Sequence, residues 1–334
     1  LGVYGLSQAL LQQAFGRWSD RWGRRRVILA GLALFVAGSV VAAMAEHIWV
    51  LIGGRALQGC GAIAGVTLAF AADHTRPERR SVVMAIIGMG IGASFLLSIM
   101  VAVPLSSLFG LQGLFWITAA LGLLGMALLP RVPGPTTQAE NFPQTGGTGA
   151  GIAYLCASVF LLHALMTALF VALPYLLVER YAMPLAQHWK IYVPTMLASV
   201  LLVFPLLWWL GRRHLERASM PWAFALLSAP LALFSVVPGQ GLLAAGAVVY
   251  FVAFNLLEAT MPSLVSRMSG AAGRGRTMGR FTTFQFLGAF AGGALGGASL
   301  QVVGAGPTLL FGALVSIGWA WVSRTAPGGR GRPE

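Results

Sequence analysis

Long apolar runs, most of them 19–29 residues, alternate with short polar breaks along the whole chain. A helix needs roughly 20 such residues to cross a bilayer's hydrocarbon core. Eleven runs qualify, at about 1–19, 27–46, 48–72, 82–108, 111–130, 150–178, 186–211, 219–237, 240–266, 277–303 and 306–324. The breaks are mostly short, which predicts antiparallel neighbours. One is long, polar and rich in Pro and Gly: "RVPGPTTQAENFPQTGGTG", residues 131–149. It reads as a flexible linker between a first half, 1–130, and a second half, 150–324, with a tail over 325–334.

Composition turns this pattern into a class. The chain is 57% hydrophobic and only 9% charged, with a mean hydropathy of +0.78. Soluble domains carry about a quarter charged residues, so most of this surface must face lipid. The expected fold is an all-α, multi-pass membrane protein. A net charge of +13 would suggest nucleic acid in a soluble chain. Here 19 of the 22 Lys and Arg fall at one set of alternating segment ends, against Arg180 and Lys190 at the other set and Arg55 inside a run. That asymmetry predicts a cytoplasmic arginine side and a cytoplasmic C-terminus, with no nucleic-acid partner. Cys60 and Cys156 lie in apolar runs, and five scattered histidines form no metal-binding spacing.

Two stretches carry a resemblance. "GRWSDRWGRRR" supplies Gly16, Asp20, Arg21, Gly23, Arg24 and Arg25 in the spacing G-x-x-x-D-R-x-G-R-R, between two apolar runs. "RALQGCGAIAG", Arg55 to Gly65, lies in the second run after it, with Arg55, Gln58 and Gly59 in register. Both resemble signatures of the major facilitator superfamily. "LFWI" after Gly113, "FNLLEATMPSLVSR" and "MGRFTTFQFLGAFAGGALGG" extend the likeness toward the YajR-type branch of its drug/proton antiporter-like members. The resemblance implies twelve helices in two halves, so the chain reads as helices two to twelve with the first absent. It begins at Leu1, without Met or a signal-peptide pattern. A chain so shortened is expected to be inactive or unstable, because Arg55 and cavity polar groups would face lipid. Two further departures stand out. The resemblance implies a small soluble domain after the last helix, which this sequence is expected to lack. The fifth family helix has Val103-Pro104 followed by Leu105-Ser106-Ser107 instead of Gly-Pro followed by Gly-Gly.

The charged residues then become candidates. Asp20 and Asp73 both stand near helix C-terminal ends, where the dipole opposes an anion. Each is either solvated or compensated from outside its own helix. Arg24, four residues after Asp20, could bridge to Asp73. The resemblance implies that Asp20, with Arg21, Gly23, Arg24 and Asp73, forms a cytoplasmic gate against the N-terminus of the helix starting near Thr277.

Glu258 lies about nine residues, some 13 Å, inside its helix. Burial penalises its charged form, which suits a group that carries a proton. The alternative is a packing carboxyl bonded to a neighbouring helix through Asn255. Arg55 is either a proton-coupling residue or a donor to backbone carbonyls of the absent helix, with Gln58 within one turn of it. His163 is either a proton or ligand group or a hydrogen-bonded packing residue. Phe160, Phe170, Tyr175, Tyr192, Trp208 and Trp209 read mostly as lipid-facing or interfacial belts. The glycines between Gly288 and Gly297 read as helix-packing positions.

No paired carboxylates, metal ligands or Ser/His/Asp arrangement lies at one face, so an enzyme is not expected. The expected function is secondary transport of small lipophilic organic compounds by alternating access, as proton-coupled efflux across a bacterial inner membrane. The expected partners are the substrate, protons and lipids. The expected state is a monomer, with the proton gradient as driving force and no cofactor. A non-transporting receptor or scaffold on the same fold is the alternative.

Overall fold

The computed structural model describes residues 2–76, 79–132, 149–236, 239–269 and 273–326. In chain order its helices are α1 (Gly2–Trp22), α2 (Arg24–Ala43), α3 (Ile48–Cys60), α4 (Ala64–Asp73), α5 (Arg80–Leu128), α6 (Gly149–Tyr181), α7 (Trp189–Arg212), α8 (Glu216–Ser235), α9 (Gln240–Met268), α10 (Arg274–Val303) and α11 (Ala305–Thr325). Nearly all of the linker expected over 131–149 lies outside the described residues, as does the tail beyond Ala326.

One element differs from the apolar pattern. The run expected over 48–72 is two helices, because the chain breaks between Cys60 and Ala64. A side chain on Gly61 would strike the carbonyl of Gly31 on α2, so the break falls where two backbones touch. The break expected between the runs over 82–108 and 111–130 is present inside α5 as a kink at Gly110, with φ 66° and ψ 179°. Only a residue without Cβ adopts that conformation freely.

Nine segments among the described residues are long and apolar enough to cross a membrane. Helix α1 is not one of them, since Gln8, Gln12 and Gln13 sit in its middle and Arg17 and Asp20 near its end. Within α5 the part before Gly110 qualifies only as a shorter apolar helix, Arg80–Ser94. The expected count of eleven spans is thus supported for nine.

The chain gathers into two compact units. One is drawn from residues 1–77, 91–146 and 265–287, the other from 78–90, 147–264 and 288–334. In the first unit, Phe15, Val27, Ile28, Ala62 and Val66 form a buried cluster where α1, α2 and α4 meet. In the second, α8 runs along α11, and Tyr250, Phe224 and Phe234 are fully buried. Gly288, Gly292 and Gly296 form one stripe on α10, four residues apart. A Cβ at each would meet Phe160, Ala164 and Ala168, the matching stripe on α6. Small residues at this spacing let two helix backbones approach closely. Tyr192, expected in an interfacial belt, is buried, whereas Tyr175, Trp208 and Trp209 are exposed.

Candidate functional site

In the first unit, α1 ends at Trp22 and α2 starts at Arg24, so one residue makes the connection. That residue, Gly23, has φ 87°, in a region that a side chain would disfavour. The tight turn brings Arg24 back over the end of α1. Its Nη1 donates to Asp20 Oδ1 at 2.6 Å and to Ser19 Oγ at 2.7 Å, and its Nε donates to Asp73 Oδ2 at 2.9 Å. Arg274, at the start of α10, closes the cluster by pairing with the other oxygen of Asp73.

Asp20 is the centre of this arrangement. Its two carboxylate oxygens accept the backbone N–H groups of Gly275 and Arg276, each at 2.8 Å. These are unpaired amides of the first turn of α10, where the helix dipole is positive. The carboxylate therefore stands at the wrong end of its own helix and at the right end of another. Charge-assisted bonds of this kind are worth about 2 kcal/mol each. The approach is possible because both helices carry glycine there: a Cβ on Gly16 would collide with Gly275, and one on Gly275 with Arg24, Ser19 and Gly16. The helix starts at Arg274, three residues before the expected Thr277, which is why the bonded amides are those of Gly275 and Arg276. Arg21, by contrast, is exposed and outside the cluster.

The same two helices are joined deeper in the unit. Gln12 on α1 is fully buried, and its Oε1 accepts from Thr282 Oγ1 and from the Gly65 amide, both at 3.1 Å. Thr283 Oγ1 donates to the Ala9 carbonyl at 3.1 Å. Elsewhere in the unit, Arg55 Nη1 donates to Gln58 Oε1 at 2.6 Å, and Gln58 Nε2 donates to Ser39 Oγ at 2.6 Å. The Arg55 guanidinium also sits 4.6 Å from the Tyr4 ring centroid and 5.9 Å from that of Phe115.

In the second unit, Glu258 on α9 faces His163 on α6, with Oε2 and Nε2 3.6 Å apart. The other ring nitrogen of His163 lies 3.1 Å from the Val159 carbonyl, and Phe254 meets the imidazole edge-on at 5.8 Å. The Glu258 side chain is 22% exposed, so it is not sealed in the core. Asn255 gives its amide to Ser199 Oγ on α7 at 3.1 Å, so Glu258 reaches toward α6 while Asn255 ties α9 to α7.

A residue that the sequence reading passed over also emerges. Glu216 begins α8 and is almost fully buried. Ser81 Oγ, at the start of α5, donates to its Oε1 at 2.7 Å, with Ser263 Oγ 3.5 Å from Ser81.

Comparison with known proteins gives this geometry a family. The profile of the Major Facilitator Superfamily matches residues 1–153. The chain is 37% identical to the inner membrane transport protein YajR of Escherichia coli, over 97% of this chain and 74% of that one. The chain belongs to the Major Facilitator Superfamily. It is also 34% identical to a triacylglyceride transporter of Mycolicibacterium hassiacum, over 48% of this chain and 31% of that one. The crystal structure of the human organic anion transporter MFSD10 superposes with a TM-score of 0.82 at 21% identity, covering 96% of this chain and 82% of that one, a likeness of fold.

A facilitator of this superfamily is a membrane transport protein and not an enzyme. Membership also shows what signal could have found Glu216. "GRRHLER", Gly211–Arg217, places a glycine before an acid–arginine pair between α7 and α8. Gly16, Asp20 and Arg21 do the same in the last turns of α1, with one residue fewer in between.

Proposed function

We propose that this facilitator exports small lipophilic compounds in exchange for protons, by alternating access. The observation that carries the coupling is the Glu258–His163 pair, 3.6 Å apart on two helices of one unit. An ionisable pair within a membrane segment is costly to keep and is by default a functional group. When both members are charged they attract across the gap. A proton taken by the carboxylate cancels that attraction, so occupancy by a proton and separation of α6 from α9 are linked. The Asp20 cluster acts alongside it as a gate: two amides and two arginines hold the carboxylates only while these are ionised. The excess of arginine at one set of segment ends supports a cytoplasmic C-terminus. The low charge content supports a lipophilic substrate, as does the likeness to a triacylglyceride transporter.

The test is proton movement in proteoliposomes bearing the full-length protein and a pH-sensitive dye in the lumen. Addition of a lipophilic rhodamine dye is expected to drive proton flux through the unaltered protein. Glu258→Gln should abolish that flux while the dye still binds, and His163→Gln should shift its pH profile. Unchanged flux in Glu258→Gln would remove the coupling assignment.

A further inference from the structure

Two openings meet beside the turn that joins α1 to α2. One is a concavity of about 680 Å³ whose lining includes Arg21, Arg25 and Arg26 next to the Asp20 cluster. The other is an apolar groove of about 290 Å³ between α1 and α2, lined by Phe15, Trp18, Trp22, Val27, Ala30 and Leu34, with Arg26 at its rim. Trp22 and Arg26 border both, so the cationic hollow and the apolar groove lie side by side.

Charge matching separates the arginines here into two sets. The carboxylates of Asp20 and Asp73 are taken up by Arg24, Arg274 and the α10 amides. Arg21, Arg25 and Arg26 have no carboxylate partner among the described residues, which leaves a local excess of positive charge. Arg25 donates one Nη to the Val132 carbonyl, and its buried Nε has no hydrogen-bond partner among the described residues. Trp18 and Trp22 are both exposed, with ring centroids 5.8 Å apart and planes at 16°. Indole rings at the end of a membrane helix are typical of the headgroup level. A cationic hollow at that level, beside an apolar groove along α1 and α2, matches a molecule with an anionic head and a hydrocarbon tail.

We propose that an anionic phospholipid binds here, its phosphate among Arg21, Arg25 and Arg26 and one acyl chain in the α1–α2 groove. The second unit supplies an internal control. A groove of about 500 Å³ between α7 and α8 has Trp209 and Trp222 in an otherwise mostly aliphatic lining, but no arginine. The Arg324 guanidinium, outside that lining, lies 5.3 Å from the Trp222 ring centroid, and the groove is expected to discriminate less between headgroups than the first site. Each arginine near an anionic headgroup contributes about a fivefold preference. The preference of the first site for phosphatidylglycerol over phosphatidylethanolamine is therefore expected to be at least about tenfold.

The experiment is native mass spectrometry of the full-length protein after exchange into equimolar phosphatidylglycerol and phosphatidylethanolamine. One phosphatidylglycerol should be retained preferentially, and Arg21→Gln/Arg26→Gln should cut that preference at least about fivefold, leaving only the share of Arg25. Both residues are exposed, so the variant tests the site without touching the Asp20 cluster; an unchanged melting temperature in detergent checks that it folds. Phosphatidylglycerol with brominated chains should quench tryptophan fluorescence more in the unaltered protein than in Trp18→Phe/Trp22→Phe. Three results overturn the proposal: parity of the lipids in the unaltered protein, an undiminished preference in the arginine variant, or equal quenching with and without Trp18 and Trp22. Loss of the preference in 10 mM inorganic phosphate would also overturn it, because a headgroup anion alone would then suffice. The measurement uses no gradient and no substrate, so its outcome is independent of proton coupling.

Discussion

Asp20 and Glu216 stand at corresponding places in the two halves of the chain, each just before an arginine in a short helix connection, yet they are held in opposite ways. Asp20 closes the last turn of α1, against its own dipole, and is stabilised by the first amides of α10, more than 250 residues away in sequence. Glu216 opens α8, where its own helix already favours a negative charge, and takes a hydroxyl bond from Ser81. Both carboxylates take a partner from a helix distant in sequence, but only Asp20 does so against the dipole of its own helix. The difference predicts that the first is the sensitive member of the pair. Losing the α10 contact leaves Asp20 in an unfavourable field, whereas losing Ser81 leaves Glu216 in a favourable one.

The largest effect should follow Asp20→Asn. It removes the charge facing two amides and breaks one ion pair of Arg24, a loss of about 3 kcal/mol. Hydrogen exchange of the peptide containing Gly275 and Arg276 should then accelerate by about a hundredfold. Unchanged protection there would mean that the carboxylate does not hold α10. Next comes Gly16→Ala, which leaves every charge in place but puts a methyl group into the Gly275 backbone. About 2 kcal/mol is expected, read as a lower melting temperature together with faster exchange over the same peptide. Should Gly16→Ala change neither, close approach of the two glycines is dispensable and charge alone makes the contact. The smallest effect, about 1 kcal/mol, is expected for Glu216→Gln, because the amide oxygen still accepts from Ser81. Exchange at the start of α5 should change only a few-fold. A loss as large as that of Asp20→Asn would erase the distinction between the two carboxylates.

Much of this molecule is legible in its sequence, because burial in lipid writes long apolar runs and arginine marks their ends. The motif from Gly16 to Arg25 points to a carboxylate that needs help from outside its helix, and dipole reasoning is enough to see the need. What supplies the help is not legible. The amides of Gly275 and Arg276 carry no side-chain signature, and the start of α10 is set by a turn within a stretch rich in Gly and Arg. Glu258 and His163 stand out individually as polar residues in apolar helices. Their pairing joins positions 95 apart in sequence and depends on how α6 meets α9. The break at Gly61 hides inside a run whose hydropathy is uninterrupted, since hydropathy measures transfer to lipid and is blind to backbone direction, whereas the kink at Gly110 falls between two runs and is legible. Glu216 went unnoticed because its motif copy lacks the second glycine and the arginine run, leaving only the acid and one arginine.

The single-residue connection at Gly23 has a consequence for how the protein is made. Helix α2 is strongly apolar, with a mean hydropathy of 2.1, whereas α1 is studded with glutamines and would partition poorly alone. Joined by one residue, the two cannot enter a bilayer separately: α1 must go in as the other arm of a hairpin whose tip is pinned by Arg24, Arg25 and Arg26. The polar groups that later bind α10 are thus carried into the membrane by a neighbour during biogenesis, before α10 has been synthesised.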